Sequence, residues 1–399
     1  MFPELSRYVV ISIMFVTAIP MPLLADELKL IPGLALKEES NDNIFLTTNS
    51  RKSDFITTLT PSLDYSSTTE RKSVSLTTGI NWLTYARNAS LDSVDYYVQS
   101  GFSYQFDPRL AISVLSGYVK DSRPDRTDQN GLTLKSGSDR QNYQLSGNYA
   151  VSEKSTSTLS YAYSQEGFDS PGILTTKVHT VNFGQDYDLD RYLRQAKLVS
   201  NLGYARNLTD TSLVDNYTFT LGLTKKIHEL WNISLNAGGS YTHSEFEVST
   251  LVPPAQIVSA TIQADDQGWI GNFSINYSGE KTNASLSFNH DITTASGRGG
   301  TTERIGVATN LSERFTKELS GFFGMGYSWN RSGQNQFSSQ SIDEKNLTLN
   351  GGLRYDFSKY VFLEGNYRYN NIDYSQLAAQ ARQNVFMLRL TVRRDMMDL

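Results

Sequence analysis

Apolar residues fall on every second position along most of this chain. Val74, Leu76, Ile80 and Trp82 share one parity, as do Val94, Tyr96, Val98, Phe102, Tyr104 and Phe106. Trp269, Phe273, Ile275 and Tyr277 are followed by Leu286, Phe288 and Ile292. Near the end, Phe386, Leu388, Leu390 and Val392 repeat the pattern. A period of 2 marks a β-strand, whose successive side chains point to opposite faces. No segment shows a convincing helical period. The alternation divides into about 18 strands, with 16 as the alternative, because the segments near Leu30 and Thr180 are weak.

The opposite parity decides what these strands face. Between Trp269 and Tyr277 lie Asn272, Ser274 and Asn276; between Trp231 and Tyr241 lie Asn232, Ser234, Asn236 and Ser240. A soluble sandwich, the competing reading, would carry Lys and Glu in quantity on its wet face. Here the polar face is mostly uncharged and the apolar face is rich in Tyr, Phe and Trp. That combination predicts a transmembrane β-barrel with lipid outside and water inside. The connections agree. Tight turns at Asp107-Pro108, Ser152 to Ser155, Gly279 to Thr282 and Ser358-Lys359 alternate with longer gaps at Asp121 to Ser138, Ser244 to Gln267 and Arg331 to Ser341. The expected fold class is all-β, a transmembrane antiparallel β-barrel with short periplasmic turns and long outer loops, in the bacterial outer membrane. Aromatics near segment ends, among them Phe106, Tyr149, Tyr187, Trp231, Tyr277 and Phe357, would form its two interfacial girdles.

The N-terminus adds an address. Arg7 precedes an apolar run, and Ala25 stands before Asp26 and Glu27, the order of a signal peptide over residues 1–25. Residues 26–399 are then the barrel, with no later apolar run long enough for a membrane helix. The chain has no Cys, which excludes disulfides and thiolate metal sites. A net charge of −5 argues against nucleic acid as a partner.

Catalytic chemistry is not indicated. His179, His228, His243 and His290 are widely spaced, and no HExxH, GxSxG or GxGxxG pattern occurs in a supporting context. No enzyme activity, cofactor or metal is expected. The candidates that remain are inward charges. Arg354, Glu364, Arg368, Arg389 and Arg393 fall on the inward parity near the C-terminus, and Lys197 and Arg304 add to them. A basic ring biases a pore toward anions, whereas opposed charges can simply brace a wall. The stretch from Ser244 to Gln267, with apolar Leu251, Val252, Ile257 and Val258, is the expected plug or constriction loop. It could instead contact a partner or add strands beyond the membrane.

Glu38 to Leu46, EESNDNIFL, followed by SDFITTLTPSLDYS at residues 53 to 66, resembles the start of a family of outer-membrane β-barrel porins. Members often accompany exopolysaccharide or exosortase systems. The resemblance implies a barrel and carries no residue-level mechanism. Two functions follow as expectations: a porin-like aqueous channel for small solutes or a conduit linked to exopolysaccharide export, and, as the alternative, a non-conducting barrel whose outer loops bind a surface polymer or protein. The expected partners are outer-membrane lipid and lipopolysaccharide, the barrel-assembly machinery, and small solutes or polysaccharide.

Overall fold

A strand with one greasy and one wet face cannot be left with an open edge in hydrocarbon, because each unpaired backbone amide would cost several kcal/mol. The computed structural model meets that requirement by closure. It describes residues 27–125, 132, 136–252, 256–334, 336–338 and 341–398; the expected signal peptide, residues 1–25, lies outside the described residues. The strands are β1 Glu27–Asn41, β2 Asp54–Thr68, β3 Lys72–Tyr85, β4 Ser93–Asp107, β5 Leu110–Asp121, β6 Ser138–Ser152, β7 Ser155–Phe168, β8 Thr176–Asp188 and β9 Ala196–Leu208. They continue with β10 Ser212–His228, β11 Trp231–Val252, β12 Gln256–Ser278, β13 Thr282–Thr294, β14 Thr301–Arg314, β15 Leu319–Ser332, β16 Ile342–Asp356, β17 Val361–Tyr374, β18 Ala379–Arg393 and a two-residue β19, Met397–Asp398.

Each of β1 to β18 pairs antiparallel with its neighbours in sequence, and β1 pairs with β18 from Gly33↔Arg393 to Asn41↔Val385. The result is a closed barrel of 18 long strands. The short β19 adds two pairs to the start of β1. The segments near Leu30 and Thr180, weak in sequence, form β1 and β8. Both are held by neighbours on either side, which is where pairing overrides a poor local pattern.

The alternation sorts the side chains. On β18, Phe386, Leu388, Leu390 and Val392 are 61%, 49%, 41% and 46% exposed on the outer wall, while Val385 on the other face is 3% exposed. Inward crowding is relieved at particular glycines. Tyr97 lies across Gly79, where a Cβ would come within 2.6 Å of its hydroxyl, and Phe322 lies across Gly352.

The outer end departs from the polar-inward rule. Ile56, Leu83 and Tyr85 point inward and pack against Ile44 of the β1–β2 connection; Ile372, Tyr374 and Ala381 pack against Leu46 of the same connection. That connection is folded into the mouth rather than standing above it, and the inward apolar positions are its seat. The β13–β14 connection folds in as well. Gly297 accepts from the Leu174 amide of the β7–β8 connection, Ser296 donates to Glu166 of β7, and Gly300 sits at φ 108°, where any Cβ would strike the Phe337 carbonyl of the β15–β16 connection.

Of the forms expected for Ser244 to Gln267, the stretch takes that of added strand. Beyond Phe246, where pairing with β10 ends, β11 continues to pair with β12 through Ser249↔Ser259 to Val252↔Gln256. Residues 247–252 and 256–267 extend the β11–β12 hairpin beyond β10 and β13. The ladder between the two strands satisfies their facing backbone groups and leaves the outer edges of the hairpin open.

Candidate functional site

The strands β16, β17, β18 and β1 place a row of charges at one level of the lumen wall. Arg354 is opposite Glu364, Glu364 opposite Arg389, and Arg389 opposite Lys37. Cross-strand neighbours on one face lie about 5 Å apart, so three cations and one carboxylate form a continuous band. Arg368 lies further toward the outer end on β17, and Arg393 toward the periplasmic end on β18. The Arg354 guanidinium stacks over the inward Phe362 ring at 3.7 Å, with Arg393 at 5.4 Å from the same ring. Arg354 also pairs with Asp356 at 2.8 Å. Stacking on an aromatic face leaves a guanidinium charged while fixing its plane.

The structure therefore brings together Arg354, Glu364, Arg368, Arg389 and Arg393. Lys197 lies on β9, opposite Asp188 of β8, and Arg304 lies on β14, opposite Asp291 of β13. Both occupy inward parity away from this band. Lys37 completes the band; reading it from sequence requires knowing that β1 closes onto β18.

Facing the band is the β5–β6 connection, residues 122–137. Arg123 forms a bidentate pair with Glu39 of β1, at 2.6 and 3.2 Å, and holds Asp125 through Nε and Nη2 at 3.1 and 3.0 Å. Lys37 reaches the other side of Glu39 at 3.1 Å. The Asp125 carboxylate also accepts from Asn41 of β1 at 2.9 Å and from Gln383 of β18 at 2.8 Å. Burial pushes the Asp125 carboxyl up, but Arg123 beside it, with Arg368 adding, holds it below the usual carboxylate value. On another side of the mouth, Leu132 of the same connection is fully buried against Ala295 and Ile342. This connection therefore touches the wall at β1 and β18 and also at the β13–β14 connection and β16. The contact between Arg123 and Glu39 spans 84 residues, which is why local sequence patterns do not disclose it.

A closed antiparallel barrel with a lipid-compatible outer wall, a polar lumen and connections folded into its mouth defines an outer-membrane protein of the porin type. The model of the family described as putative beta-barrel porin 2 matches residues 29–167 and 278–394, well over half of the chain. The chain belongs to this family, and its place is the bacterial outer membrane. No curated protein matches the sequence. Among solved structures, the ferric-catecholate import receptor Fiu from E. coli K12 is similar at 7% identity and a TM-score of 0.51, over 94% of this chain and 82% of that one. OccAB4 of Acinetobacter baumannii is similar at 10% identity and a TM-score of 0.48, over 92% of this chain and 98% of that one. OccK2 of Pseudomonas aeruginosa is similar at 9% identity and a TM-score of 0.47, over 94% of this chain and 100% of that one. The Fiu likeness speaks for the barrel fold and for nothing finer.

Proposed function

We propose that the barrel is a non-enzymatic aqueous channel that passes small polar solutes and prefers anions. The observation that carries this reading is the inward band of Arg354, Arg389 and Lys37, with one opposing carboxylate, Glu364, in the same row. Cations outnumber carboxylates there, and a water-lined wall with excess positive charge favours anion entry. Around the band, Arg354, Arg389, Lys37, Arg368, Arg393 and Arg123 stand against Glu364, Glu39, Asp125 and Asp356, six cations to four carboxylates, so the local excess stays positive.

Export of a polysaccharide chain fits less well. A polymer needs a continuous wide path, and the β1–β2, β5–β6 and β13–β14 connections all reach into the outer mouth. The same infolding favours the second reading, a non-conducting barrel that binds a ligand from outside. Planar bilayers containing purified protein separate the two. The channel reading expects discrete conductance steps and a reversal potential of anion-selective sign under a salt gradient. It also expects Lys37→Glu combined with Arg389→Glu to move that potential toward cation selectivity. A silent bilayer from folded protein would remove the channel.

A further inference from the structure

Asp125 sits in a socket made by other strands. Its Oδ2 atom accepts from Asn41 Nδ2 on β1 and Gln383 Nε2 on β18, both residues 0% exposed, and from Arg123 Nη2. The two wall amides are held in place independently of Asp125. Asn41 Oδ1 accepts from the Asn43 amide; Gln383 accepts from Asn370 through Oε1 and shares its two Nε2 hydrogens between Asp125 at 2.8 Å and, at 3.1 Å each, Asn41 Oδ1 and the Asn43 carbonyl. Donors oriented by their own supporting bonds remain aimed at the same point if the carboxylate leaves. A further group is still unused: Arg368 Nε is buried and has no hydrogen-bond partner.

The charge balance points the same way. Lys37, Arg123 and Arg368 are offset in this corner by Glu39 and Asp125. Without Asp125, three cations face one carboxylate. We propose that Asn41, Gln383 and Arg368 form a carboxylate-binding site on the lumen wall, and that Asp125 occupies it as a tethered ligand. A solute carboxylate binds there by displacing Asp125. It gains the two amide donors and the Arg368 Nε–H, and Asp125 competes at the high effective concentration of a chain-linked group. The site thus takes anionic solutes bearing a carboxylate, aliphatic or on a sugar, and Asp125 sets how tightly it holds them.

The inference rests on the anion-channel reading, but its test reads binding rather than passage. Succinate, glucuronate and neutral glucose are titrated calorimetrically into full-chain protein in detergent, with folding verified by heat-shifted gel migration. Asp125→Ala is expected to bind at least one carboxylate about tenfold more tightly than the unaltered protein. Succinate and glucuronate distinguish an aliphatic from a sugar carboxylate. Glucose should gain nothing, and Asp125→Ala with Arg368→Met should lose the gain. Asp125→Asn, which keeps the size and removes the charge, should show a smaller gain and decides the matter if the alanine variant does not fold. No gain for either carboxylate, an equal gain for glucose, or a gain that survives loss of Arg368 overturns the proposal. A silent bilayer together with the expected gain would remove the channel and keep the site.

Discussion

Leu390 and Gln99 make the same point from opposite walls. Leu390 is exposed on the outer face between Leu36 and Leu363, and Gln99 lies on the inward parity between Thr77 and Gly117. Leu390→Arg should cost about 2–4 kcal/mol in lipid, whereas Gln99→Arg should lie within about 0.5 kcal/mol of neutral; urea unfolding in vesicles reads both. The sign for Asp125 is equally definite. Its pKa is lowered when docked, so its contribution to docking is complete above its free value of about 3.9 and fades as pH falls through the docked value. The groups facing it are Arg123, Glu39, Lys37 and Arg368. The part of the conductance that Asp125→Asn alters should therefore stay flat between roughly pH 5 and pH 7, and change only below about pH 4. At this scale the inward set Arg354, Glu364, Arg368, Arg389 and Arg393 was readable because period 2 fixes facing. Lys37 and Asp125 were not, because barrel closure and an infolded connection bring them there.

Element by element, alternation located the strands, and of the readings open for Ser244 to Gln267 the added strands hold. Ser244, Glu245 and Glu247 look like the start of an outer loop, yet β11 and β12 run on as a paired hairpin past the ends of β10 and β13. The apolar residues of this hairpin keep to no single parity, with Val248, Val252 and Val258 on even positions and Leu251 and Ile257 on odd ones, so the alternation used to recognise strands does not mark it. Deleting residues 247–261 and joining the ends with a two-residue turn should leave heat-shifted migration and conductance unchanged. A plug would instead raise conductance on deletion. The connections that do fold in left a fainter trace. Ile44 and Leu46 are apolar inside a loop, and Leu83 and Ile372 break the polar parity at outer strand ends. Loop residues and wall residues of that kind are seats for each other, a pairing visible only once the mouth is closed.

For the molecule as a whole, each of β1 to β18 pairs on both sides to close the ring, the open edges lying where β11 and β12 outrun β10 and β13, and the chain's family places it in the outer membrane. No helix among the described residues is long and apolar enough to cross a membrane. The central claim is that one parity of every strand touches hydrocarbon and the other touches water. Because the chain has no native Cys, single-cysteine variants across residues 387–390 test it on an empty background. In vesicles, Leu388→Cys and Leu390→Cys should react with a lipid-soluble maleimide and resist a charged thiosulfonate, while Met387→Cys and Arg389→Cys should do the reverse. Charged reagent reaching the even positions as readily as the odd ones would contradict the account.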